Sequence, residues 1–354
     1  MTKKATMMDV AKLAHVSVST VSHVINHTAS ISDATTERVK AAIEQLHYSP
    51  NLLARSLRHE KSHLIGVALI DITSEFYAGC IESILEAARK DGYNILICGS
   101  MGHNEFLESS VQSLLDNQVD GFIFIGGSGD EAAVKRITNA NVPIVFADRH
   151  VSGYPSVEFN NEETYCRMVH ALYDSGYRKF MYVGESLDIQ TNLLDRYNGY
   201  LRGLRECNLG NSKMDMFRRT LFSWKMSTSY MMFDEILGSF AEKKNRPEII
   251  ITSNDMIAHG IISAAAKKGI KVPQDLAVVG CDDVNFSACY SPTLTTIHQD
   301  AYVFGEKTYS LLRSIIKNEN KDSEERILVP QSIVARESAM IRPGILPKAE
   351  EEIQ

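Results

Sequence analysis

The pattern of hydrophobic and polar positions changes near residue 61. Before this point it predicts only short helical segments and turns. After it, apolar runs of strand length, such as LIGVALID at 64–71, alternate with segments whose apolar residues recur at helical spacing. Continuous apolar runs are typical of parallel strands buried on both faces, and their alternation with helices predicts right-handed βαβ units. A small helical head followed by a larger α/β body is therefore expected.

The strand-like runs of the body fall into two sets, at about 64–160 and 161–292. In the first set, Ser74 is positioned to cap the helix after LIGVALID, and Gly92 is positioned to end it. Two similar α/β lobes are predicted. Because open α/β sheets bind ligands beyond the carboxyl ends of their strands, the ligand site is expected in a cleft between the lobes. The helix that Ser74 caps is expected to turn one apolar face inward, formed by residues 77, 81, 84, 85 and 88.

Three short helices are predicted in the head. Thr6 and Asp9 have capping-box spacing and can start a helix over MMDVAKLA. The segment HVS at 15–17 predicts a tight turn, after which Ser17 can cap a second helix, VSTVSHVIN. Ser32 can cap a third helix at about 33–46. The residues expected to face inward are Val10, Leu13 and Val21.

Two short helices around a three-residue turn, followed by a third, form a helix-turn-helix unit. In such a unit the N-terminal residues of the second helix lie at base edges in the major groove. Val18 can contact a thymine methyl group, and Ser19 can hydrogen-bond to a base. His23, one turn later, can reach either a base acceptor or a phosphate, and short polar side chains nearby suit phosphates. The DNA-contact candidates of the head are Thr6, Ser17, Val18, Ser19, Thr20, Ser22, His23, Asn26, Ser32 and Thr35.

The composition limits the class of protein. The chain has 354 residues, of which 44% are hydrophobic and 23% charged, as in ordinary globular proteins. It contains no apolar run of about 18 residues and no apolar core of signal-peptide length near its start, so a cytoplasmic protein without a membrane span is expected. The six cysteines are scattered without a CxxC motif and are interpreted as buried thiols rather than disulfides or a metal site. No cofactor is expected.

Charge is distributed unevenly along the chain. Residues 1–61 hold eight Lys and Arg against five Asp and Glu, whereas the remaining residues hold 29 against 39. A net charge of −7 thus combines a mildly basic head with an acidic body. The head is consistent with a polyanionic partner, although an excess of three charges is also compatible with chance.

The sequence resembles the lactose-repressor (LacI) family of bacterial transcription regulators. The resemblance is carried in the head by DVAKLAHVSVSTVSHVIN and YSPNLLARSL, and in the body by IIITSNDMIAHG, VPQDLAVVGCDD and SPTLTTIHQD. The head is most similar to the purine and ribose repressors, although His15 stands where many members have a glycine. The family's organisation implies a helix-turn-helix headpiece at 1–48, a hinge at 49–61, a periplasmic-binding-protein-like body at 62–341 and a polar tail at 342–354.

The resemblance also implies how the body and hinge are arranged. One lobe is expected to comprise about 62–160 and 294–326, and the other about 161–293 and 327–341. The hinge is expected to fold into a helix on DNA, with Leu57 wedged into the minor groove and Arg58 entering it. The hinge residues expected at the DNA are Asn51, Ala54, Leu57 and Arg58.

The family's small-molecule effector site maps onto residues of the body. Arg196, in DRYNGY, matches a ligand-clamping arginine, and Trp224 matches a stacking aromatic residue. Guanidinium, carboxylates and an aromatic face suit a polyol. A sugar or sugar acid is therefore the expected effector, with Arg149 beside Arg196 favouring an acid. The effector-binding candidates are Phe76, Tyr77, Asp148, Arg149, Arg196, Trp224, Asn254, Asp255, Asp282 and Gln299.

Purely structural interpretations of these residues stay open. Trp224 could be plain core, Asp282 and Asp283 could cap a helix, and Arg149 could be a surface ion pair. A nucleobase or nucleoside corepressor is the alternative effector. Against it, the segment ESLDIQTNLLDR is longer than in the purine repressors, and their purine-binding arginine and threonine have no clear match.

Two other classes of protein are disfavoured. The chain contains no GxGxxG, GxxxxGK[ST] or GxSxG motif, and although Asp282, Asp283 and His298 could be imagined as an acid–base set, an enzyme is not expected. A periplasmic sugar receptor would share the body but not the headpiece. We predict a homodimeric repressor on pseudo-palindromic double-stranded DNA, because the tail lacks the leucine heptads of a tetramerising coil. Whether the effector induces or corepresses is left open.

Overall fold

The computed structural model divides the chain into two units, residues 1–62 and 63–354. The hinge candidates Asn51, Ala54, Leu57 and Arg58 lie outside the residues that the structure describes. The described residues are 5–26, 29–48, 61–69, 71–99, 104–126, 131–187, 191–209, 218–238, 246–319 and 324–346.

The first unit contains the three expected helices, α1 (Met7–Ala14), α2 (Val18–Asn26) and α3 (Asp33–Gln45). The predicted capping box is confirmed. Thr6 Oγ1 accepts from the backbone N–H of Asp9 at 3.3 Å, and Asp9 Oδ2 accepts from the backbone N–H of Thr6 at 2.9 Å. His15 ends α1 in the left-handed region, with φ of 53°, which histidine tolerates better than most residues.

The core of the first unit is made of small apolar side chains. Val10 and Val21 are fully buried, as predicted, but Leu13 is 39% exposed, so its predicted inward orientation is wrong. The inner face of this short helix runs through Val10, Ala11 and Ala14 instead. The buried residues of this core are Val10, Ala11, Ala14, Val21, Val24, Val39 and Ala42.

The first lobe of the body is built on a six-stranded parallel sheet. Its strands are β1 (Leu64–Leu69), β2 (Asn94–Gly99), β3 (Gly121–Ile125), β4 (Ile144–Ala147), β5 (Ser156–Phe159) and β11 (Arg326–Val329). They are ordered β11-β5-β4-β3-β1-β2. Apolar side chains of α4 (Glu75–Lys90) and α12 (Ala301–Ile316) cover one face. Those of α5 (Asn104–Asp116) and α6 (Glu131–Asn139) cover the other.

Helix α4 illustrates how far the pattern predicted the local structure. Ser74 Oγ accepts from the backbone N–H of Tyr77 at 3.4 Å, which confirms the predicted cap. Gly92 follows the helix with φ of 79°, as expected of a terminating glycine. Leu85, predicted on the inner face, is 42% exposed. The face that packs on the sheet is centred on Cys80, Ile84 and Ala88 instead.

The second lobe is built on a second six-stranded sheet. Its strands are β6 (Phe180–Glu185), β7 (Arg218–Leu221), β8 (Ile249–Thr252), β9 (Ala277–Asp282), β10 (Thr295–His298) and β12 (Ser332–Val334). Their order is β12-β10-β9-β8-β6-β7, with only β12 antiparallel to its neighbour. Helices α7 (Asn161–Asp174) and α8 (Thr191–Glu206) cover one face. Helices α9 (Met226–Met231), α10 (Phe233–Leu237) and α11 (Asp255–Lys267) cover the other.

The chain crosses between the lobes three times, after β5, after β10 and after β11. The expected crossing at 293/294 is therefore displaced, because Thr295–His298 pairs with β9 in the second sheet. The crossing at 326/327 is displaced as well, because Arg326–Val329 pairs with β5 in the first sheet. Each crossover places a polar residue where the two lobes meet.

No helix among the described residues is both long enough and apolar enough to cross a lipid bilayer.

Candidate functional site

The first candidate surface is the N-terminal half of α2. Ser17, Val18 and Ser19 are exposed there, whereas Val21 is buried against the other helices. Ser17 Oγ accepts from the backbone N–H of Thr20 at 3.0 Å, which confirms the predicted cap, and it lies 2.7 Å from Ser19 Oγ. The helix is thus held by its apolar side and presents small polar side chains outward. This is the arrangement that a helix entering a major groove requires.

The remaining headpiece candidates surround this surface. Ser22 and His23 are half-buried on α2, and Asn26 is its last residue. Thr6 starts α1, where its hydroxyl belongs to the capping box. Ser32 starts α3 without capping it through its side chain, and its hydroxyl instead donates to Thr35 Oγ1 at 3.0 Å.

The second candidate site is centred on Arg196, a buried residue of α8. Its Nε donates to Asn161 Oδ1 at 3.1 Å, and its Nη2 donates to Gln299 Oε1 at 2.9 Å. Its Nη1 donates to the carbonyl of Ser253 and lies 3.9 Å from Asp282 Oδ1. All three nitrogens of this guanidinium therefore have partners at or just after the ends of strands.

Three amide side chains tie the crossovers together around Arg196. Asn161 follows β5, Gln299 follows β10, and Gln331 lies between β11 and β12. Gln331 Nε2 donates to Gln299 Oε1 at 2.9 Å and to Asn161 Oδ1 at 3.3 Å. The sequence analysis identified Gln299 but missed Asn161, Gln331 and Ser253. For Ser253, the available signal was its position directly after the buried strand β8.

Asp148 joins the first lobe to this group. It follows β4 with φ of 57°, and its Oδ2 accepts from Tyr77 Oη at 3.2 Å and from Asn192 Nδ2 at 2.7 Å. Its Oδ1 is buried and accepts no hydrogen bond from the residues that the structure describes. Burial raises the pKa of Asp148 to about 6, against the opposing effect of the Arg196 guanidinium. Asn192, which the sequence analysis missed, lies one helical turn before Arg196 on the same face.

Asp282 completes the site from the end of β9. Its Oδ1 accepts from Gln299 Nε2 at 3.4 Å, and burial raises its pKa while Arg196 lowers it. Its φ of 117° is a costly conformation for a non-glycine residue, as is often found at functional sites. We use the name cleft cluster for Tyr77, Asp148, Asn161, Asn192, Arg196, Asp282 and Gln299.

Asn254 and Asp255 make their contacts within the second lobe. The carboxylate of Asp255 accepts from Thr296 Oγ1 at 2.5 Å, Ser287 Oγ at 2.7 Å and the backbone N–H of Val284 at 3.0 Å. Burial raises its pKa to about 7. Asn254 Oδ1 caps α11 by accepting from the backbone N–H of Ile257 at 2.9 Å. These contacts favour a structural role for Asp255 over the expected effector contact.

Phe76, Arg149 and Trp224 were also expected at the effector site. The Arg149 guanidinium lies over the rings of Phe124 and Phe146, at 5.3 and 5.1 Å from their centroids. Burial lowers its pKa to about 10. This packing gives no support to the expected pairing of Arg149 with Arg196. Phe76 packs in the first-lobe core, and Trp224 is half-buried three residues after β7.

Asp283 and His298 form an ion pair rather than a set with Asp282. Asp283 Oδ2 lies 3.0 Å from His298 Nδ1, and its Oδ1 lies 2.7 Å from Arg336 Nη2. The hydrogen bond that His298 donates to Asp283 raises the pKa of His298. A carboxylate shared between an arginine and a histidine is a stabilising contact and offers no activated nucleophile.

Two family models match the chain. Residues 6–51 match the bacterial regulatory proteins of the lacI family, and residues 169–339 match a periplasmic binding protein-like domain. The first match covers the three helices and the recognition surface on α2. The second covers most of the second lobe, including Arg196, Asp282 and Gln299.

Curated relatives and solved structures match over nearly the whole length. The HTH-type transcriptional repressor PurR of Vibrio atlanticus (strain LGP32) is 30% identical over 326 residues, which are 91% of this chain and 95% of that protein. Catabolite control protein A of Priestia megaterium is 31% identical over 335 residues, 94% and 98% of the two chains. The Lac repressor dimer bound to operator and the anti-inducer ONPF is 27% identical, with a TM-score of 0.82 over 95% of this chain and 99% of that one.

These relatives are regulators and not enzymes, and the fold agrees with that of the Lac repressor over 95% of this chain. The chain belongs to the lacI family of bacterial regulatory proteins, and it is a DNA-binding transcriptional repressor.

Proposed function

We propose that this repressor acts in the cytoplasm as a homodimer on a pseudo-palindromic operator, and that a sugar or sugar acid in the cleft cluster controls its affinity for DNA. The DNA-binding half of the proposal depends on the exposed start of α2, where Ser17, Val18 and Ser19 stand over a buried valine core. One such helix reads one half-site, so a two-fold dimer reads an inverted repeat.

The hinge supplies the proposed link between the effector and the DNA. We infer that Asn51, Ala54, Leu57 and Arg58 contact the operator, with Leu57 entering the minor groove. A small molecule that binds better to one arrangement of the two lobes shifts the population of that arrangement. By linkage, the factor by which this molecule changes operator affinity equals the factor by which the operator changes the affinity for the molecule.

Operator recognition can be tested by selecting bound sequences from random double-stranded DNA with the full-length protein. We expect an inverted repeat to be enriched. Affinity for it should fall steeply as salt rises, by roughly 10³–10⁵ between 50 and 200 mM if the dimer neutralises 6–10 phosphates. Absence of any inverted-repeat preference at modest ionic strength, with and without metabolites, would contradict the proposal.

The same assay assigns the role of His23. The variant His23→Ala should lower discrimination between operators if the imidazole meets a base, or lower affinity for all DNA if it meets a phosphate. Gln45→Ala is the matched control, because Gln45 is an exposed neutral residue at the end of α3. If His23→Ala changed neither the discrimination between operators nor the affinity for DNA, His23 would not belong to the DNA-contacting surface.

The chemistry of the cleft cluster supports a hydroxyl-rich effector. Two carboxylates and several amides converge with one guanidinium, and such groups accept from and donate to paired hydroxyls. The observation that carries the proposal is Asp148 Oδ1, a buried acceptor without a hydrogen bond among the described residues. A buried acceptor of this kind is costly to leave unpaired, and a ligand hydroxyl would satisfy it.

A nucleobase corepressor is the second candidate. The observation on its side is the similarity to repressors named PurR over more than nine-tenths of the chain. A base N–H could also satisfy Asp148 Oδ1. The expected pairing of two arginines, which favoured an acidic sugar, is not supported by the packing of Arg149. Neutral sugars therefore belong in any panel of ligands.

The effector class can be identified by titration calorimetry of the full chain with monosaccharides, sugar acids and nucleobases. We expect heat from a sugar or sugar acid, and a roughly tenfold to hundredfold weaker affinity in Asp148→Asn, because a hydrogen bond to a charged acceptor is lost. Asparagine tolerates the left-handed backbone of this position. Asp234→Asn, an exposed carboxylate that pairs with Lys268, is the control. Binding of a nucleobase alone would overturn the sugar proposal while leaving operator binding intact.

A further inference from the structure

A group of metal-binding side chains lies between α7 and α8, away from the cleft cluster. Cys166 and His170 come from α7, and Glu206 is the last residue of α8. Cys166 Sγ lies 3.4 Å from Glu206 Oε2, and His170 Nε2 lies 2.8 Å from the same oxygen. One ligand atom from each residue lies within 4.8 Å of the other two.

The spacing of these atoms suits a tetrahedral ion of the zinc class. Cys166 and His170 are four residues apart on one helix and therefore share a face. Zinc binds thiolate at about 2.3 Å and imidazole or carboxylate at about 2.0–2.2 Å, so its ligand atoms lie roughly 3.3–3.6 Å from one another. The sulfur-to-oxygen distance of 3.4 Å already meets this requirement. The imidazole-to-carboxylate pair would need to open by about 0.5 Å.

The helices that carry the three ligands are packed closely enough to hold them. A Cβ on Gly203 would lie 2.7 Å from Val169 Cβ and 3.0 Å from the carbonyl oxygen of Cys166. The two backbones can approach this closely only because the residue is glycine. The ligand atoms therefore project from a rigid helix pair and not from loops.

A fourth residue orients the imidazole. Cys207 Sγ lies 3.6 Å from His170 Nδ1, on the side of the ring opposite to Glu206. If Nδ1 carries the proton and donates to this sulfur, the unprotonated Nε2 is turned towards Cys166 and Glu206. Histidines that bind metals commonly donate their second ring nitrogen in this way.

The surrounding charge also favours a cation. Arg202 is a cation in contact with the group, through its Nε at 3.4 Å from Glu206 Oε1 and through a side-chain hydrogen bond with Cys166. Its guanidinium also contacts Glu162 and Glu163. Three carboxylates thus contact this one guanidinium.

We propose that Cys166, His170 and Glu206 bind one divalent ion of the zinc class, with a water molecule in the fourth position. On binding, the Cys166 thiol releases its proton to solvent, and the ion replaces the hydrogen bonds that now join the three side chains. The ion ties α7 to α8, the two helices that carry Asn161 and Arg196. The sequence analysis expected no metal site, because the cysteines are scattered without a CxxC motif.

The proposal can be tested on the full-length, tag-free and reduced protein with Zn²⁺ or Co²⁺ alone. We expect one ion per chain by competition with a chromogenic chelator, a sulfur-to-cobalt charge-transfer band with Co²⁺, and a rise in melting temperature with Zn²⁺. Both His170→Gln and Glu206→Gln should lose the bound ion. Cys207→Ala should bind it roughly tenfold to hundredfold more weakly, as expected when a metal-binding histidine loses its partner.

The controls separate this site from nonspecific binding and from misfolding. Cys289→Ser removes an exposed thiol outside the group and should leave the stoichiometry and the cobalt band unchanged. His170 and Glu206 have side chains 40% and 49% exposed, so their substitution should leave the far-ultraviolet circular dichroism unchanged. The proposal is overturned if the wild-type chain binds no ion, if His170→Gln and Glu206→Gln still bind it, or if Cys289→Ser loses it.

Discussion

Replacing Arg196 with alanine will lower the free energy of unfolding of the body by about 3–5 kcal/mol, the usual cost of removing one partner from a buried charged pair. The loss arises because Asp282 keeps a half-buried carboxylate without its guanidinium, while Asn161, Gln299 and the carbonyl of Ser253 lose a donor. Urea denaturation followed by circular dichroism measures the change. The same variant should also lose its response to the effector.

The control for this prediction is Arg205→Ala, on the same helix as Arg196. Arg205 is exposed, so its substitution should change the free energy of unfolding by no more than about 0.5 kcal/mol. If Arg196→Ala proved as stable as Arg205→Ala, the guanidinium would not be the centre of the cleft cluster. The hydrogen bonds among Asn161, Gln299 and Gln331 would then suffice to hold the crossovers.

Replacing Gly199 with alanine will destabilise the body by about 3 kcal/mol or more, at the upper end of the cost of overpacking. The new Cβ would lie 2.2 Å from the carbonyl oxygen of Glu162 and 2.9 Å from its Cα. Backbone atoms cannot move aside as a flexible side chain can, so α7 and α8 must separate. Urea denaturation and soluble yield measure the effect.

The matched substitution is Gly99→Ala in β2, where the nearest atom to a new Cβ is the Leu69 carbonyl oxygen at an ordinary 3.8 Å. This variant should lose no stability and could gain up to about 1 kcal/mol, because alanine is favoured over glycine within a strand. Equal stabilities for the two variants would show that α7 and α8 can separate at little cost. Such freedom would also weaken the argument for a preorganised metal site between them.

Local features of the fold were predictable because their causes are local. The caps at Thr6, Ser17 and Ser74 follow from side chains that satisfy backbone N–H groups three residues later. The parallel strands follow from their apolar runs. The short strands Ser156–Phe159 and Arg218–Leu221 were not predicted. Four residues are too few for the pattern of hydrophobic and polar positions to distinguish a strand from a loop.

The cleft cluster was predictable only in part, because its contacts are long-range. Tyr77, Asp148, Arg196, Asp282 and Gln299 were expected from the resemblance, and the structure brings them together. The hydrogen bond from Gln331 to Asn161 joins residues 170 positions apart, so no local pattern identifies either residue. Asp255 shows that a carboxylate after a strand can be satisfied by its own lobe as readily as by a ligand, so its expected effector contact stays a prediction.

The triple crossover restricts how these lobes can be exchanged between related repressors. Neither lobe is a continuous piece of chain, since β11 and α12 return to the first lobe after the second has been built. A single recombination point would leave one sheet without an edge strand and a covering helix. A working chimaera needs three junctions. Each junction falls beside one of three amide side chains that are hydrogen-bonded to one another through Gln331, namely Asn161, Gln299 and Gln331. Ligand specificity in this architecture is therefore changed more readily by substituting residues within a lobe than by exchanging whole lobes between repressors.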